Sequence, residues 1–247
     1  MTHLQGKVAI VTGASSGIGA VTAAALAARG VRVVGAALDQ AGLDTLVAQV
    51  RQSGGEALGR VADVTRAEDM QALAAFTRES FGRIDILVNN AGLMLFSRWT
   101  DLAVGDWERM IEVNIKGSLN AIAAVLPHML EQRAGQILNM DSVAGHQVSP
   151  SAGVYCATKF FVQAMTESMR KELGVHHGIR VSTISPGVID TGWADKVTDP
   201  AGRLAAQELN RIAIAPQAVA DAVVYALDQP AQVTVNDLII SPTRQDW

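Results

Sequence analysis

Tyr155 and Lys159 lie four residues apart in a segment with helical spacing, so both side chains project from one face of a predicted helix. A lysine ammonium beside a phenol stabilises the phenolate and lowers a pKa that is about 10 in free tyrosine. Such a phenol can exchange a proton with a substrate oxygen near neutral pH. Ser142, thirteen residues upstream, offers a hydroxyl for the same oxygen. Taken alone, a Tyr–Lys pair is more often an incidental surface pair.

A glycine-rich segment, TGASSGIG at 12–19, follows the first predicted strand and opens the first predicted helix. Its glycines permit a tight turn, close approach of a pyrophosphate and close helix–strand packing. The helix N-terminus adds free N–H groups and partial positive charge. A turn without a ligand is the alternative, but the spacing differs from that of a P-loop and lacks its Gly-Lys-Ser/Thr. The predicted cofactor-binding residues here are Gly13, Ser15, Ser16, Gly17, Ile18 and Gly19.

Polar residues also follow two other predicted strands. Asn89-Asn90-Ala91-Gly92 ends the fourth strand, where asparagines tie strands together or line a cofactor, and the carboxyl edge favours lining by Asn89, Ala91 and Gly92. Asp63 and Val64 follow the third strand. We expect Asp63 to accept a hydrogen bond from an adenine amine, with capping of the next helix as the alternative.

The elements that must position these residues alternate between β-branched runs and helical stretches. Strands are predicted at 7–11, 31–37, 56–61, 84–88, 136–140, 179–184 and 235–240. Helices are predicted at 18–29, 41–51, 66–81, 104–132, 154–173 and 216–227. Strands such as VAIV and ILVN are apolar on both faces, as in a parallel sheet covered on each side. We predict a single α/β domain over residues 1–247, a doubly wound parallel sheet with helices on both faces.

One stretch, from Pro186 to about Gly202, interrupts this alternation. Long irregular connections are often binding loops, although an exposed surface excursion is the alternative. The stretch follows a strand at the ligand-binding edge of the sheet, so we predict a substrate lid over about residues 186–210.

Composition excludes several function classes. The 247 residues carry 20 Lys and Arg against 24 Asp and Glu, a net charge of −4 that opposes binding to nucleic acid or anionic membranes. A single cysteine, Cys156, excludes an intramolecular disulfide and a thiolate cluster for zinc, so no metal site is expected. The start lacks a signal-peptide pattern, and no apolar stretch approaches membrane-spanning length. These features indicate a cytoplasmic globular protein.

The motifs in their order resemble those of the short-chain dehydrogenase/reductase family. They are TGASSGIG at 12–19, NNAG at 89–92, Asn114, Ser142, YCATK at 155–159 and Pro186-Gly187, and they cover essentially the whole chain. The resemblance implies an extended Rossmann-type fold, a nicotinamide cofactor, and reversible hydride transfer between a carbonyl and an alcohol. A dinucleotide-binding redox sensor without activity is the alternative of another class, but such relatives usually lose part of the catalytic set.

The resemblance also implies a role for each matching residue. Tyr155 would be the general acid/base, and Ser142 would orient and polarise the substrate oxygen. Lys159 would lower the pKa of Tyr155 and hold the nicotinamide ribose, while Asn114 would position a water that links Lys159 to solvent. The segment with Pro186, Gly187, Ile189 and Thr191 would contact the nicotinamide carboxamide.

Two residues near this set need comment. Asp141 replaces the first serine of the family's usual Ser-Ser pair. Its anion either tunes the site or accepts a hydrogen bond from the backbone, and we favour the second interpretation. Cys156 follows Tyr155 directly, so we expect it to point away from the Tyr–Lys face as a packing residue.

Cofactor preference depends on the end of the second strand, Ala37-Leu38-Asp39-Gln40. NADP-dependent relatives commonly carry arginine at the places of Leu38 and Asp39, because a 2′-phosphate needs a cationic partner. Asp39 would repel that phosphate and accept hydrogen bonds from a ribose diol, although a solvated acid in a turn is the alternative. We therefore expect NAD rather than NADP.

The predicted substrate pocket is mostly apolar: Met94, Phe96, Val143, His146, Val148 and Trp193 follow the motifs. Packing of these residues on the domain, and a surface position for His146, remain equal alternatives. We expect a small-molecule substrate, an apolar ketone or secondary alcohol. The C-terminal segment resembles bacterial 3-hydroxy-acid and serine dehydrogenases, so a hydroxy acid is the second candidate.

The two long predicted helices carry more apolar residues than one sheet face needs, such as Ile115, Leu119, Ile122, Val125, Leu126, Phe160, Phe161, Val162 and Met165. Helices that are apolar over much of their circumference must bury a second face. We therefore expect a homotetramer with dihedral symmetry, and a monomer if loops of the same chain cover the surplus.

Overall fold

The computed structural model describes residues 2–246 around one sheet of seven parallel strands, which confirms the predicted α/β class. The strands are β1 (Val8–Thr12), β2 (Arg32–Ala37), β3 (Ala57–Val61), β4 (Ile86–Asn89), β5 (Gly135–Met140), β6 (Ile179–Pro186) and β7 (Asp237–Ile240). Their order in the sheet is β3-β2-β1-β4-β5-β6-β7, and every neighbouring pair is parallel. The order reverses at β1 and β4, so a crevice opens beyond their carboxyl ends.

Helices cover both faces of the sheet. They are α1 (Gly17–Ala27), α2 (Gln40–Gln52), α3 (Ala67–Phe81), α4 (Val104–Met110), α5 (Ser118–Gln132), α6 (Gly153–Met169), α7 (Val175–His177), α8 (Pro200–Leu209) and α9 (Pro216–Leu227). Leu26, Leu43 and Val223 belong to the apolar core on one face, which α1, α2 and α9 cover. Leu73 and Val125 belong to the core on the other face, beneath α3 and α5. Within residues 2–246, no helix has the length and apolar character needed to span a membrane.

The helix predicted at 104–132 is interrupted in the structure. It is continuous in direction but winds as a π-helix over Ile111–Gly117, between α4 and α5. Gly117 permits the close approach of Val64 here, because a Cβ at this glycine would lie 2.7 Å from Val64 Cγ2. A second π-helical turn, Arg170–Gly174, extends α6 into α7. Hydrophobic periodicity does not reveal such turns, because they change the hydrogen-bond pattern while the same faces stay buried.

The segment expected to be irregular is partly helical. A 3₁₀ turn forms over Ala194–Lys196, and α8 begins at Pro200 and runs to Leu209, so the second half of the predicted lid is a helix. The side chain of Asp199 caps α8 by accepting the N–H of Gly202 at 2.6 Å. An aspartate N-cap followed by proline is a sequence signal for a helix start, and our reading of the sequence missed it.

Candidate active site

The turn between β1 and α1 leaves room for a ligand at its backbone. Gly13 and Gly17 have φ values of +67° and +55°, which favour glycine. A Cβ at Gly19 would overlap the carbonyl oxygen of Gly13 and lie 2.6 Å from Asn90 Nδ2. Ser16, the N-cap of α1, makes no side-chain capping bond within the described residues. The helix N-terminus thus keeps its donors available, and the turn fits the pyrophosphate of a dinucleotide.

Thr12 joins this turn to the end of β4. Its Oγ1 accepts the N–H groups of Asn90 and Ala91, each at 3.0 Å, and its carbonyl accepts Asn90 Nδ2 at 2.9 Å. The two strand ends at the reversal point of the sheet are therefore held together by one threonine. Our sequence reading did not single out Thr12, although it precedes the first glycine of the turn.

The side chain of Asn89 ties strands together, which was the alternative to its predicted role of lining a cofactor. Its side chain is buried and donates through Nδ2 to the carbonyl of Ser118 at 3.1 Å and to Asn139 Oδ1 at 3.2 Å. The amide therefore ties β4 to β5 and to α5. Asn90 and Gly92, by contrast, line the cavity described below.

Asp63 does not cap the following helix. Its Oδ1 accepts both the N–H and the Oγ1–H of Thr65, at 2.9 and 2.8 Å, while Arg66 is the N-cap of α3. The capping alternative is therefore wrong, and the carboxylate shapes the turn after β3. Val64 is held beside it, since its carbonyl accepts Asn120 Nδ2 at 2.9 Å.

Asp39 lies at the N-terminus of α2, beside the glycine-rich turn. Its Oδ1 accepts the N–H of Ala41 at 3.1 Å, so it caps the helix. A Cβ at Gly42 would lie 2.6 Å from the carbonyl oxygen of Ser15 and 2.8 Å from Asp39 Oδ2. Gly42 therefore lets the carboxylate approach the turn closely, while the neighbouring Leu38 is 70% exposed.

The predicted catalytic side chains converge at the carboxyl ends of β5 and β6. Lys159 Nζ lies 5.8 Å from the centroid of the Tyr155 ring and donates to the carbonyl of Met140 at 2.8 Å. Ser142 hydrogen-bonds with the Tyr155 side chain, accepts the N–H of Ala144 at 3.1 Å and donates to the carbonyl of Pro186 at 3.4 Å. All three side chains are buried.

Burial reverses the expected protonation shift of Tyr155. It raises the pKa of the phenol above its ordinary value, the hydrogen bond with Ser142 lowers this pKa, and the charge of Asp141 raises it further. Burial also lowers the pKa of Lys159, against the opposing effect of Asp141. Lys159 was expected to lower the pKa of Tyr155, whereas burial has the larger effect in this structure and raises it. Its phenol carries a proton at neutral pH.

Asn114 sits in the first π-helical turn, and both ends of its amide are occupied. Oδ1 accepts the N–H of Leu93 at 2.8 Å, and Nδ2 donates to the carbonyl of Leu93 at 2.9 Å and to Thr158 Oγ1 at 3.0 Å. A Cβ at Gly92 would lie 3.4 Å from Asn114 Oδ1 and 4.0 Å from Lys159 Nζ. Asn114 and Lys159 therefore border the same small space beside Gly92.

A cavity of about 590 Å³ is lined by Ile18 of the glycine-rich segment and by Ser142, Tyr155 and Lys159, three of the predicted catalytic residues. Of the predicted residues outside the catalytic set, those that line it are Ile18, Gly92, Met94, Phe96, Val143, Val148, Pro186, Gly187, Ile189, Thr191 and Trp193. Among its described lining residues, Lys159 is the one cation. Cys156 also lines the cavity, so it packs beside the site rather than away from it. The lid contributes Leu209, and Phe96 meets Trp193 edge to face at 5.6 Å.

His146 does not belong to the cavity lining, so its predicted place in the substrate pocket is wrong. Its Nε2 lies 3.0 Å from Ser185 Oγ and 3.0 Å from Gln163 Nε2. Gln163 was missed by the sequence analysis, although it lies four residues after Lys159 on the same face of α6.

A parallel sheet that brings a glycine-rich turn and a buried Tyr–Lys pair to one edge is the architecture of an α/β oxidoreductase. Residues 7–202 match the family described as short chain dehydrogenase, and the chain belongs to this family. An uncharacterized oxidoreductase of Staphylococcus saprophyticus is 43% identical over 243 residues, which cover 98% of this chain and 100% of the relative.

Solved structures resemble the whole chain. The closed form of a serine dehydrogenase complexed with NADP+ superposes with a TM-score of 0.89 at 31% identity, over 97% of this chain and 96% of that one. A short chain dehydrogenase/reductase from Burkholderia phymatum in complex with NAD has a TM-score of 0.86 at 30% identity, over 98% of this chain and 91% of that one.

Proposed function

We propose that the chain uses a nicotinamide cofactor to interconvert a secondary alcohol and a ketone, with Tyr155 as the proton donor and acceptor. One observation carries this proposal: Ser142, Tyr155 and Lys159 line the same cavity as Ile18 of the glycine-rich segment. The cavity would hold the nicotinamide end of the cofactor beside a small substrate, with the pyrophosphate at the turn.

The chain offers a site for each part of the cofactor, which supplies a hydride donor or acceptor when it is bound. The backbone at Gly13, Gly17 and Gly19 would hold the pyrophosphate, and Asp39 the adenosine ribose. Lys159 would hold the nicotinamide ribose. The other proposed contacts are Ser15, Ser16, Ile18, Asp63, Val64, Ala91, Gly92, Tyr155, Pro186, Gly187, Ile189 and Thr191.

In the direction of reduction, the protonated Tyr155 gives its proton to the carbonyl oxygen of the substrate, and Ser142 orients that oxygen. In oxidation, the tyrosinate takes the alcohol proton. The space between Asn114 and Lys159 beside Gly92 would hold a water that returns the proton toward solvent.

The lining of the cavity supports an apolar substrate. Met94, Phe96 and Val143 line it, and Trp193 and Leu209 come from the predicted lid. A carboxylate substrate would need a cationic or strongly donating partner, and Lys159 is the one cation among the described lining residues. The second candidate is a 3-hydroxy acid, which the likeness to a serine dehydrogenase favours.

The test is a panel of secondary alcohols, ketones and 3-hydroxy acids, each followed by the absorbance of reduced nicotinamide with NAD and with NADP. We expect turnover of apolar ketones and alcohols. Faster turnover of 3-hydroxy acids would replace the first candidate with the second. Cofactor binding without turnover of any class would instead support a redox sensor.

We further propose that NAD is the preferred cofactor, because Asp39 is the charged group beside Ser15 and residues 37–43 contain no lysine or arginine. Replacing Leu38 and Asp39 together with arginine should raise kcat/KM for NADP about tenfold relative to NAD, since hydrogen bonds to a charged phosphate contribute roughly 1.5–3 kcal/mol. The measurement is kcat/KM with each cofactor. An unmodified enzyme that already prefers NADP would contradict the assignment.

We also propose a homotetramer. The chain itself buries some of the apolar residues on its two long helices, namely Ile122, Val125 and Val162. Two others, Leu119 and Phe160, stay exposed. At the other end of the sheet, Ile239 of β7 and Tyr225 of α9 are exposed, which offers a second contact.

Sedimentation equilibrium at micromolar concentration should give a mass well above the 26.0 kDa of one chain. Phe160→Glu should shift the protein toward smaller species, because the interface would bury an unpaired carboxylate. Val175→Glu changes an equally apolar but separate exposed residue and serves as the control. A single species of monomer mass for the unmodified protein would rule out the interface.

A further inference from the structure

Beside Ser142 begins a group of polar side chains that we call the Asp141 cluster: Asp141, which lines the cavity, and His146, Gln163, Ser185 and Asp237. Gln163 Nε2 donates to Asp141 Oδ2 at 2.5 Å, and Ser185 Oγ lies 3.3 Å from the same oxygen. Ser185 also lies 3.0 Å from Asp237 Oδ1. His146 Nε2 is 3.6 Å from Asp141 Oδ2 and 3.5 Å from Asp237 Oδ2. The cluster thus connects a carboxylate beside Ser142 with the surface.

Asp141 is the buried end of this cluster. Its side chain is 0% exposed, whereas those of His146 and Asp237 are 30% and 32% exposed. Asp141 Oδ1 has no hydrogen-bond partner among the described residues. Gly145 makes room for this carboxylate, since a Cβ there would overlap it. A buried, half-satisfied carboxylate is costly, so it is a candidate for a functional role.

Asp141 is also directly linked to the catalytic residues along the chain. The residue before it, Met140, supplies the carbonyl that holds Lys159 Nζ, and the residue after it is Ser142. Its charge raises the pKa values of both Tyr155 and Lys159. Burial raises the pKa of Asp141 itself, while Lys159, Gln163, His146 and the backbone N–H of Ser142 lower it. The cluster therefore opposes the effect of burial and favours the anion.

We propose that Asp141 is a positioning residue whose negative charge keeps the proton on the Tyr155–Lys159 pair, and that Gln163 and Ser185 hold its carboxylate for this role. The inference rests on the proposed role of Tyr155. The direction of the effect of the Asp141 charge is the same whether Tyr155 or Lys159 releases the first proton. A nearby anion stabilises the more positive form of either group, so both sites bind the proton more tightly.

The other charged groups that face Asp141 do not cancel the tighter proton binding that its charge produces at Tyr155 and Lys159. Lys159 and Tyr155 of α6 are the pair on which it acts, and β6 contributes the neutral Ser185. His146, from the turn after β5, and Asp237 of β7 lie at the solvent end, where water screens their charges. Removing the charge of Asp141 should therefore release the proton at lower pH, and removing that of Asp237 should have a much smaller effect.

The chain has two tyrosines, so Tyr225→Phe leaves Tyr155 as its sole tyrosine. In this background, the ultraviolet absorbance of tyrosinate reports ionisation of Tyr155 without any cofactor, at those pH values where circular dichroism shows that the chain is still folded. We expect Asp141→Asn to lower the pH of this ionisation by about one unit, the size of effect that an adjacent charge produces. The matched control, Asp237→Asn, removes one charge from the solvent end of the same cluster. It should change the pH of Tyr155 ionisation far less.

The pH profile of kcat/KM for alcohol oxidation gives a second readout, and its acidic limb should move to lower pH in Asp141→Asn. The proposal would be overturned if Asp141→Asn and Asp237→Asn changed the pH of Tyr155 ionisation equally, or if neither the ionisation nor the pH profile of kcat/KM moved.

Asp141→Ser restores the family's usual residue, and it should lower the pH of Tyr155 ionisation as Asp141→Asn does. If both Asp141 variants fail to fold, the carboxylate is structural and the proposal is wrong. Absence of turnover would disprove the proposed function, while the absorbance titration would still decide the role of Asp141.

Discussion

Tyr155→Phe should lower kcat by about 100- to 10,000-fold, which is the usual contribution of one positioned acid/base group. The substitution keeps the buried ring and removes the hydroxyl that hydrogen-bonds with Ser142. Because the packing of α6 is unchanged, thermal unfolding should stay close to that of the unmodified protein, and cofactor affinity should fall far less than kcat. The measurement is steady-state turnover of the best substrate from the panel, together with a cofactor titration.

Tyr225→Phe is the matched control. Tyr225 is exposed on α9, at the opposite end of the sheet from the cavity lining, and the same atom is removed. We expect its turnover to be unchanged. A folded Tyr155→Phe protein with nearly normal turnover would refute the assignment of Tyr155 as the proton donor.

Gly19→Ala should weaken binding of the dinucleotide about 10- to 100-fold. The added Cβ would overlap the carbonyl oxygen of Gly13, so the glycine-rich turn must move away from α1. Overpacking of this kind costs roughly 1–3 kcal/mol, and each 1.4 kcal/mol corresponds to about tenfold in affinity. Calorimetric titration with NAD measures the change, and thermal unfolding measures the accompanying loss of stability.

Gly105→Ala provides the comparison, since a Cβ at this position of α4 would meet no atom within 4 Å. Alanine is favoured over glycine in a helix, so this variant should bind the cofactor normally and be slightly more stable. Unchanged affinity in Gly19→Ala would show that the turn does not hold the pyrophosphate.

Local patterns predicted the strands of the sheet and the shared helix face of Tyr155 and Lys159. Each predicted strand overlaps an observed one, because β-branched residues in short apolar runs have few alternatives to a buried parallel strand. The pairing of Tyr155 and Lys159 on one helix face follows directly from their spacing, and α6 confirms it.

Other features depend on contacts between residues that are far apart in the chain. Asn89 turns inward because Asn139, on the neighbouring strand, offers its amide oxygen. His146 is held outside the cavity lining by contacts with Ser185 and Gln163, which come from β6 and α6. The π-helical turn at Asn114 coincides with hydrogen bonds to Leu93 and Thr158, which no local pattern contains.

The amino-acid sequence by itself determined the α/β class, the glycine-rich turn and the types of residue that we propose for the chemistry, because these depend on spacing along the chain. Only the tertiary structure decided the electrostatics of the site. Folding buries Tyr155 and brings the charge of Asp141 near it, so the pKa of the phenol rises although the adjacent lysine predicts a fall. The reason is physical: desolvation and the sum of surrounding charges depend on every element that packs around a group, whereas the sequence shows only its neighbours along the chain.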